Sequence, residues 1–288
     1  MKVSVVIPNY NGEKSLLRTL EALKNQTFQD FELVVVDDCS TDGSLAVARK
    51  YAGKVLSTLK NSGPATARNM GIKNSQGELI LLTDADCVPS LDWVEKMTAQ
   101  FKNNGMQVVM GKVEIERSNF IGDSISALGY PAGGSIGFEN IWKVSPEGYT
   151  STFSSCNCGF RRKVFDEFGF FDEDFPCAGG EDTLLARKIS NGGGKIKYCP
   201  EAVVTHEARA GLRAFMRWQA KRGECIYLFR KKVGSIKGDI KNRLWSISNT
   251  IKMHLRDPKI FMIIPLLALS MASQQYGYLK ARFNDRAK

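Results

Sequence analysis

The stretch Gly77–Cys87, GELILLTDADC, constrains this chain more than any other. Leu79 to Leu82 is uncharged and aliphatic, which predicts a strand buried on both faces, and it stops abruptly at two carboxylates spaced i, i+2. In extended backbone Asp84 and Asp86 project to the same side. Carboxylates so placed repel each other, and the repulsion is tolerated when a hard divalent cation or a proton sits between them. The bland alternative is a solvated acidic turn, and the buried strand in front of the pair weakens it.

The rest of the N-terminal half repeats this pattern of strand, polar tip and helix. Lys2 to Ile7 predicts a strand ending in the turn formers Pro8, Asn9, Tyr10, Asn11 and Gly12, and Leu16, Leu17, Leu20 and Leu23 recur at helical spacing. Phe31 to Val36 predicts a second strand, closed by Asp37 and Asp38, with Thr41 or Asp42 capping a helix through Lys50. Val55 to Thr58 predicts a third strand, and Pro64 opens a helix through Asn74. Strands alternating with helices of this length predict a doubly wound, mostly parallel α/β sheet, whose ligands bind beyond the carboxyl ends of its strands. Those ends are Pro8 to Asn11, then Asp37 and Asp38, then Asp84 and Asp86. A capping and turn cluster is the plain alternative for Asp37 and Asp38. No G-x-G-x-x-G follows the first strand, which argues against a dinucleotide site. A metal held by carboxylates at an open sheet edge suits a nucleoside diphosphate whose charge the ion neutralises.

Charge divides the chain. Of 40 Lys and Arg and 30 Asp and Glu in 288 residues, residues 1–208 hold 22 and 26, and residues 209–288 hold 18 and 4, giving −4 and +14. The expected organisation is a catalytic α/β domain over 1–208 and a basic, partly apolar helical region over 209–288. In that region Arg213, Arg217, Lys221, Arg222, Arg230, Lys231, Lys232, Lys237, Lys241 and Arg243 alternate with aromatic and aliphatic residues such as Phe215, Trp218, Tyr227 and Trp245, as in membrane-surface helices. Ile260 to Leu279 is 20 residues without a charge, a length that just reaches a span, weakened by Pro265, Gln274, Gln275 and Gly277. Seven cysteines without paired spacing argue against a disulfide framework. With no signal peptide ahead of Val3, a reducing, cytosolic location is expected.

The segments VSVVIPNYNG, VVVDDCSTDGS, NSGPATARNMGI and GELILLTDADCVP, in that order, resemble family 2 glycosyltransferases of the GT-A fold. Downstream, CNCGFRRKVFDEFGFFDE, GGEDTLLARKI and KIKYCPEAVVTHE are similar to the family's acceptor-side strand, catalytic helix and closing strands, so the resemblance covers residues 1 to about 210. It implies an inverting enzyme that moves a sugar from a UDP- or GDP-sugar to an acceptor hydroxyl, with Mg²⁺ or Mn²⁺ on the diphosphate.

It also implies roles. Pro8, Tyr10 and Asn11 belong to the nucleotide side, Tyr10 offering a stacking face; Asp37 or Asp38 accepts a hydrogen bond from the base edge. Arg68 is placed near the diphosphate, Asp84 and Ala85 near the ribose and the metal shell, and Asp86 on the metal, with His206 beside it; the alternatives are a solvated helix arginine and a satisfied strand-end histidine. Cys156, Asn157, Gly180 and Glu181 fall on the sugar or acceptor side, as does Arg161. Asp182, in the first turn of a helix, is placed as the general base; the plain alternative is N-terminal capping. The glycine-rich Arg117–Phe153 stretch shows no period.

Two other readings compete. Polyprenyl-phosphate glycosyl transfer needs no base, so Glu181 and Asp182 favour a hydroxyl acceptor. A nucleotide-binding, RNA-binding protein would keep its tail basic throughout, whereas this tail has an apolar run, so no nucleic acid partner is expected. The expected partners are a nucleotide-sugar donor, a sugar or lipid-linked acceptor and a membrane surface, at the cytoplasmic face of a membrane, in the synthesis of cell-surface polysaccharide, glycolipid or glycoprotein glycan.

Overall fold

Val3–Asn9, buried at every position, forms the inner strand β1 and hands the chain to α1 (Glu13–Lys24), whose Leu16, Leu20 and Leu23 point into the core. The computed structural model describes residues 1–102, 105–234 and 237–287; the expectations for the Lys237 side chain and for residues 235, 236 and 288 of the basic region lie outside the described residues. Strand β2 (Phe31–Asp37), helix α2 (Ser44–Tyr51), strand β3 (Lys54–Ser57), helix α3 (Pro64–Asn74) and strand β4 (Leu79–Thr83) follow in the expected alternation. β5 (Cys87–Pro89), α4 (Trp93–Ala99), β6 (Val108–Ile115), α5 (Phe120–Ser126), α6 (Phe138–Ile141) and β7 (Tyr149–Thr150) come next. β8 (Asn157–Arg161), α7 (Lys163–Phe168), α8 (Glu181–Asn191) and β9 (Ile196–His206) lead into three helices, α9 (Leu212–Val233), α10 (Lys237–His254) and α11 (Ile260–Arg286).

Among the described residues the sheet order is β3-β2-β1-β4-β8-β6-β9-β5, with β7 paired to β9. β3, β2, β1 and β4 are parallel, in a register that sets Asn9 beside Asp37 and Asp37 beside Ser57. β8 then runs antiparallel to β4, with Thr83 opposite Asn157 and Leu79 opposite Arg161. This mixed sheet is what the apolar runs permit: LILLT is buried at every position because both of its edges and both of its faces are covered. The expected cap of α2 differs. Gly43 occupies the N-cap with no side-chain bond, because the Asp42 carboxylate is shared between the Glu13 and Ser44 N–H groups and so ties the starts of α1 and α2 together.

The chain packs as two compact units. The first comprises Met1–Lys112, Val144–Asp174 and Glu181–His206, and the second Val113–Lys143, Phe175–Gly180 and Glu207–Lys288. The partition does not follow a single cut at residue 208. Ile125, Ala127 and Leu128, in and just after α5, share a buried cluster with Phe215, Ile263 and Leu266 of the C-terminal helices, so the glycine-rich stretch supplies part of the core of the helical unit. Within that unit α9 and α11 meet at backbone distance. A Cβ on Gly223 would fall 2.0 Å from the Gln274 carbonyl oxygen, and one on Gly277 would fall 1.8 Å from that of Ala220, so only glycine fits at this crossing. The same crossing buries an amide chain in which Gln274 Nε2 donates to Gln219 Oε1 at 2.6 Å.

Candidate active site

The polar strand tips do gather at one edge of the sheet in the first unit. Thr83 ends β4 inside the sheet, and Asp84, Ala85 and Asp86 turn out of it, half-buried. A buried threonine sets this turn: Thr19 Oγ1 donates toward the carbonyls of Ala85 (2.9 Å) and Cys87 (3.0 Å). Sequence reasoning passed Thr19 over, although a lone hydroxyl inside the Leu16, Leu20, Leu23 stripe of α1 was its signal.

Arg68 is the hub. It is 1% exposed on α3, yet its Nη2 donates to Asp84 Oδ1 at 2.7 Å and its Nη1 to Glu181 Oε1 at 3.1 Å. Burial alone would lower its pKa, but Asp84 and Glu181, with Asp182 beyond them, outweigh that and hold it raised, so it is a permanent cation. Glu181 is as buried as Arg68 and turned onto it. A carboxylate spent in this way positions α8 and is not offered to an acceptor. Asp182, the next residue, stays half-exposed in the first turn of α8, where its Oδ1 accepts from the Thr183 N–H at 2.7 Å. Asn69, unnoticed in the sequence, clamps the loop before α8: its Nδ2 donates to the Phe171 carbonyl and to Glu173, and its Oδ1 accepts from the Phe171 N–H. The signal for both side chains was a helix of Ala, Thr, Arg, Asn and Gly with no apolar stripe that nevertheless had to pack on the sheet.

Asp86 is the more open carboxylate of the pair, its side chain 37% exposed, and His206 Nε2 at the end of β9 lies 3.5 Å from its Oδ2. The antiparallel pairing of Cys87 with His206 brings residues so distant in sequence together. The Cys87 sulfur belongs to the same cluster, but burial, with Cys156 and the two aspartates adding to it, pushes its thiol well up, so it stays a neutral thiol and a poor ligand for a hard cation. A carboxylate oxygen and an imidazole nitrogen converging at the sheet edge are a donor set that fits Mn²⁺ or Mg²⁺.

The nucleotide-side residues divide. Pro8 is buried in β1, whereas Tyr10 is 51% exposed and has a ring face to offer. Asn11, in left-handed backbone, is a turn residue whose Oδ1 accepts from the Thr41 N–H. Asp37 and Asp38 are both buried. Asp37 accepts from Asn9 Nδ2 and the Ser40 N–H, closing the β1 and β2 ends; Asp38 accepts from the Thr58 hydroxyl and from the Ser62 and Gly63 N–H groups, gathering the loop before α3.

The acceptor-side expectations fare less well. Asn157 is fully buried: its Oδ1 accepts from Trp93 Nε1, and its Nδ2 donates to the carbonyls of Lys112 and Ala202. It pins β8 to its neighbours and has no surface for a ligand. Cys156, buried beside Ser154, lies at the site end of β8. Arg161 lies at the opposite end, its guanidinium on the Phe101 and Met106 carbonyls, because β8 runs against β4. In the second unit Gly180, at φ 137°, contributes only backbone, packed on the Phe175 ring. A cavity of about 650 Å³ lined by Phe31, Glu32, Leu33 and Gln76 opens at the other end of β2 and holds none of these residues.

The family described as Glycosyl transferase family 2 matches residues 4–169. Glycosyltransferase AglE of Haloferax volcanii is 26% identical over 219 residues, covering 72% of this chain and 67% of that protein. Poly(ribitol-phosphate) beta-N-acetylglucosaminyltransferase TarS of Staphylococcus aureus is 41% identical over 105 residues, 34% of this chain but only 18% of that enzyme, so the match spans a small part of its length. A TarS structure in complex with UDP-GlcNAc superposes with a TM-score of 0.60 at 20% identity, covering 100% of this chain and 92% of that chain. Mannosyltransferase PcManGT from Pyrobaculum calidifontis, in complex with GDP-Man and Mn²⁺, gives 0.61 at 21% identity, covering 99% and 79%. At these identities the two structures show a shared fold.

Proposed function

Since this chain belongs to glycosyl transferase family 2 and is a glycosyltransferase of the GT-A fold, we propose that it moves a hexosyl group from a UDP- or GDP-sugar to an acceptor hydroxyl with inversion. The observation that carries this reading is the Arg68 bridge: one buried guanidinium ties Asp84, two residues from Asp86, to Glu181, one residue from Asp182. It links the strand tip that fits a metal to the helix start that fits a base.

In this reading Tyr10 stacks on the base, and Asp37 or Asp38 takes its polar edge. Asp86 and His206 would hold Mn²⁺ or Mg²⁺, which when bound offsets the charge of the leaving diphosphate. The Asp182 carboxylate sits half-exposed in the first turn of α8. It accepts the proton of the acceptor hydroxyl as that oxygen bonds to the anomeric carbon and the bond to the diphosphate breaks. A single displacement of this kind inverts the anomeric centre. Arg68 and Glu181 act by positioning, and Asn69 holds the loop that precedes α8.

The helical unit is assigned a cytoplasmic membrane surface, where a lipid-linked or polymeric glycan acceptor would be met. The support is the apolar surface that α11 leaves exposed. It buries Ile263 and Leu266 in its first two turns and Ser270, Ser273, Gln274 and Gly277 beyond them, while Phe261, Ile264, Met271, Tyr276, Leu279 and Phe283 are exposed. A helix of a water-soluble unit buries its apolar stripe; this one leaves six large apolar side chains outward, on a segment of net charge +14, as a lipid surface rewards. The helix is long and apolar enough to cross a membrane by length and composition, although Pro265 interrupts its hydrogen bonding.

The test is turnover of a panel of UDP- and GDP-sugars by the full chain with and without Mn²⁺, read as released nucleoside diphosphate. Metal-dependent release from at least one donor is expected, and none from any donor would overturn the reading. Flotation with anionic liposomes at low salt tests the surface: wild type is expected to float, and a Phe261→Ser, Ile264→Ser, Met271→Ser variant to remain below. Wild type that stays below would remove the membrane assignment.

A further inference from the structure

The helical unit holds a cavity that none of this chemistry uses. It measures about 200 Å³ and is lined by residues of α9, α10 and α11 together with the Leu128–Tyr130 turn and the end of α6. Two guanidinium groups reach it, Arg222 from α9 and Arg243 from α10, with the polar side chains of Asn242 and Ser246 beside them, and none of its described lining residues is acidic. Neither arginine forms an ion pair with a described carboxylate.

Each is held in place by something other than a counter-charge. The Arg222 guanidinium lies 5.1 Å from the ring centroids of both Tyr130 and Trp218, and its Nε is buried with no hydrogen-bond acceptor among the described atoms. Arg243 Nη2 donates at 2.6 Å to Gln274 Oε1, whose amide nitrogen is in turn fixed on Gln219. Aromatic faces and a buried amide chain thus orient both forks while leaving their charge uncompensated. That arrangement suits an oxyanion with several acceptor oxygens and more than a single charge, which a planar guanidinium grips bidentately. Cavities that enclose whole small-molecule ligands start near 300 Å³ as a rough guide, so this one is sized for a head group and excludes a complete nucleotide-sugar. The remaining wall, Leu128, Ile141, Trp142 and Ile226, is apolar and suits the carbon body to which such a group is attached.

We propose that this cavity binds the phosphate group of an organic phosphate ester, through Arg222 and Arg243. Its source is either a phospholipid head group or the backbone of a polyol phosphate. Such binding is independent of the donor and base assignments in the first unit.

The experiment is calorimetric titration of the full chain, supported by tryptophan fluorescence, since Trp142 lines the cavity and Trp218 stacks on Arg222. The probes are glycerol 3-phosphate, a short-chain phosphatidylglycerol below its micelle concentration, and glycerol as a control without phosphate. Wild type is expected to bind at least one phosphate ester and not glycerol, and Arg222→Gln and Arg243→Gln to weaken that binding by about tenfold or more each. Arg243→Lys, which keeps the charge and loses the fork, should fall between. A strong preference for phosphatidylglycerol identifies a lipid head group, and comparable binding of the two esters identifies a polyol phosphate. Absence of binding to either ester, or full binding by Arg243→Gln, overturns the proposal; Arg243 is at the exposed mouth of the cavity, so that variant tests it even if Arg222→Gln fails to fold. Nucleoside diphosphate binding by the same samples reads the transferase site separately, and its loss from wild type would count against the transferase reading alone.

Discussion

Replacing Arg68 by methionine removes the charge at the centre of the site and keeps most of the side-chain volume. The guanidinium is 1% exposed and sits between carboxylates at 2.7 and 3.1 Å. Breaking a buried ion pair from one side costs about 3–5 kcal/mol, because the partner is left charged and dry. The structure apportions that cost unevenly. The Asp84 side chain is 22% exposed and can take up water, whereas that of Glu181 is 1% exposed and cannot. Most of the loss therefore belongs to Glu181, and Glu181→Gln added to Arg68→Met should return about 2 kcal/mol, within the usual coupling of touching residues. In a chain of this size the single variant is expected to melt about 10 °C lower. Urea unfolding at neutral pH followed by far-ultraviolet dichroism measures both variants. A loss below about 1 kcal/mol for Arg68→Met, or a double variant less stable than the single one, would show that Arg68 is not the buried cross-link of β4 and α8.

Asp86→Ala should abolish metal-dependent binding of UDP or GDP while leaving the melting curve near that of wild type, as expected of a half-exposed side chain; calorimetry with and without Mn²⁺ checks this, and unchanged binding refutes it. Asp182→Asn should keep donor binding and lose transfer by about a hundredfold or more, whereas retained turnover would reduce Asp182 to a helix-end residue. Glu32 tests acid stability. Burial pushes its carboxyl up, but the Ser4 hydroxyl, the N–H groups of Gln76 and Gly77 and the nearby Lys54 outweigh that and hold it below its ordinary 4.5. A depressed carboxylate stabilises the fold above its ordinary value and loses that contribution as pH falls through the depressed one. Glu32→Gln should therefore be less stable than wild type at neutral pH, with the gap closing as pH falls below the ordinary 4.5, and urea midpoints at neutral and at acid pH decide it.

The alternating strands and helices were legible in the sequence because each is written in local periodicity: VSVVI and LILL can only be strands covered on both faces, and Pro64 opens α3 where a proline at the first helical turn should. The order of polar tips along one sheet edge followed from the parallel connection rule, and of the segments that carried the family resemblance, Glycosyl transferase family 2 matches those through residue 169, while GGEDTLLARKI and KIKYCPEAVVTHE lie beyond that match. Helix α8 beginning at Glu181 was equally local, an acidic pair ahead of Leu184, Leu185 and Ile189.

Periodicity states which side of an element is covered, and it does not state by what. The Arg68–Glu181 pair spans 113 residues of sequence, and nothing near either residue announces the other. The antiparallel turn of β8 sent Arg161 to the far end of the sheet and locked Asn157 inside it, although both stand in one short motif. The pairing of β5 with β9 brought His206 to Asp86. Composition placed a boundary near residue 208, but packing drew α5 and its following turn into the core of the C-terminal helices, since Ile125 and Leu128 find their apolar partners there. The same packing chose which face of α11 is outward. The close crossing at Gly223 and Gly277 and the Gln274–Gln219 bond turn Ser270, Ser273 and Gln274 in, so that of the helix's apolar residues Ile263 and Leu266 are buried while Phe261, Ile264, Met271, Leu279 and Phe283 are left at the surface.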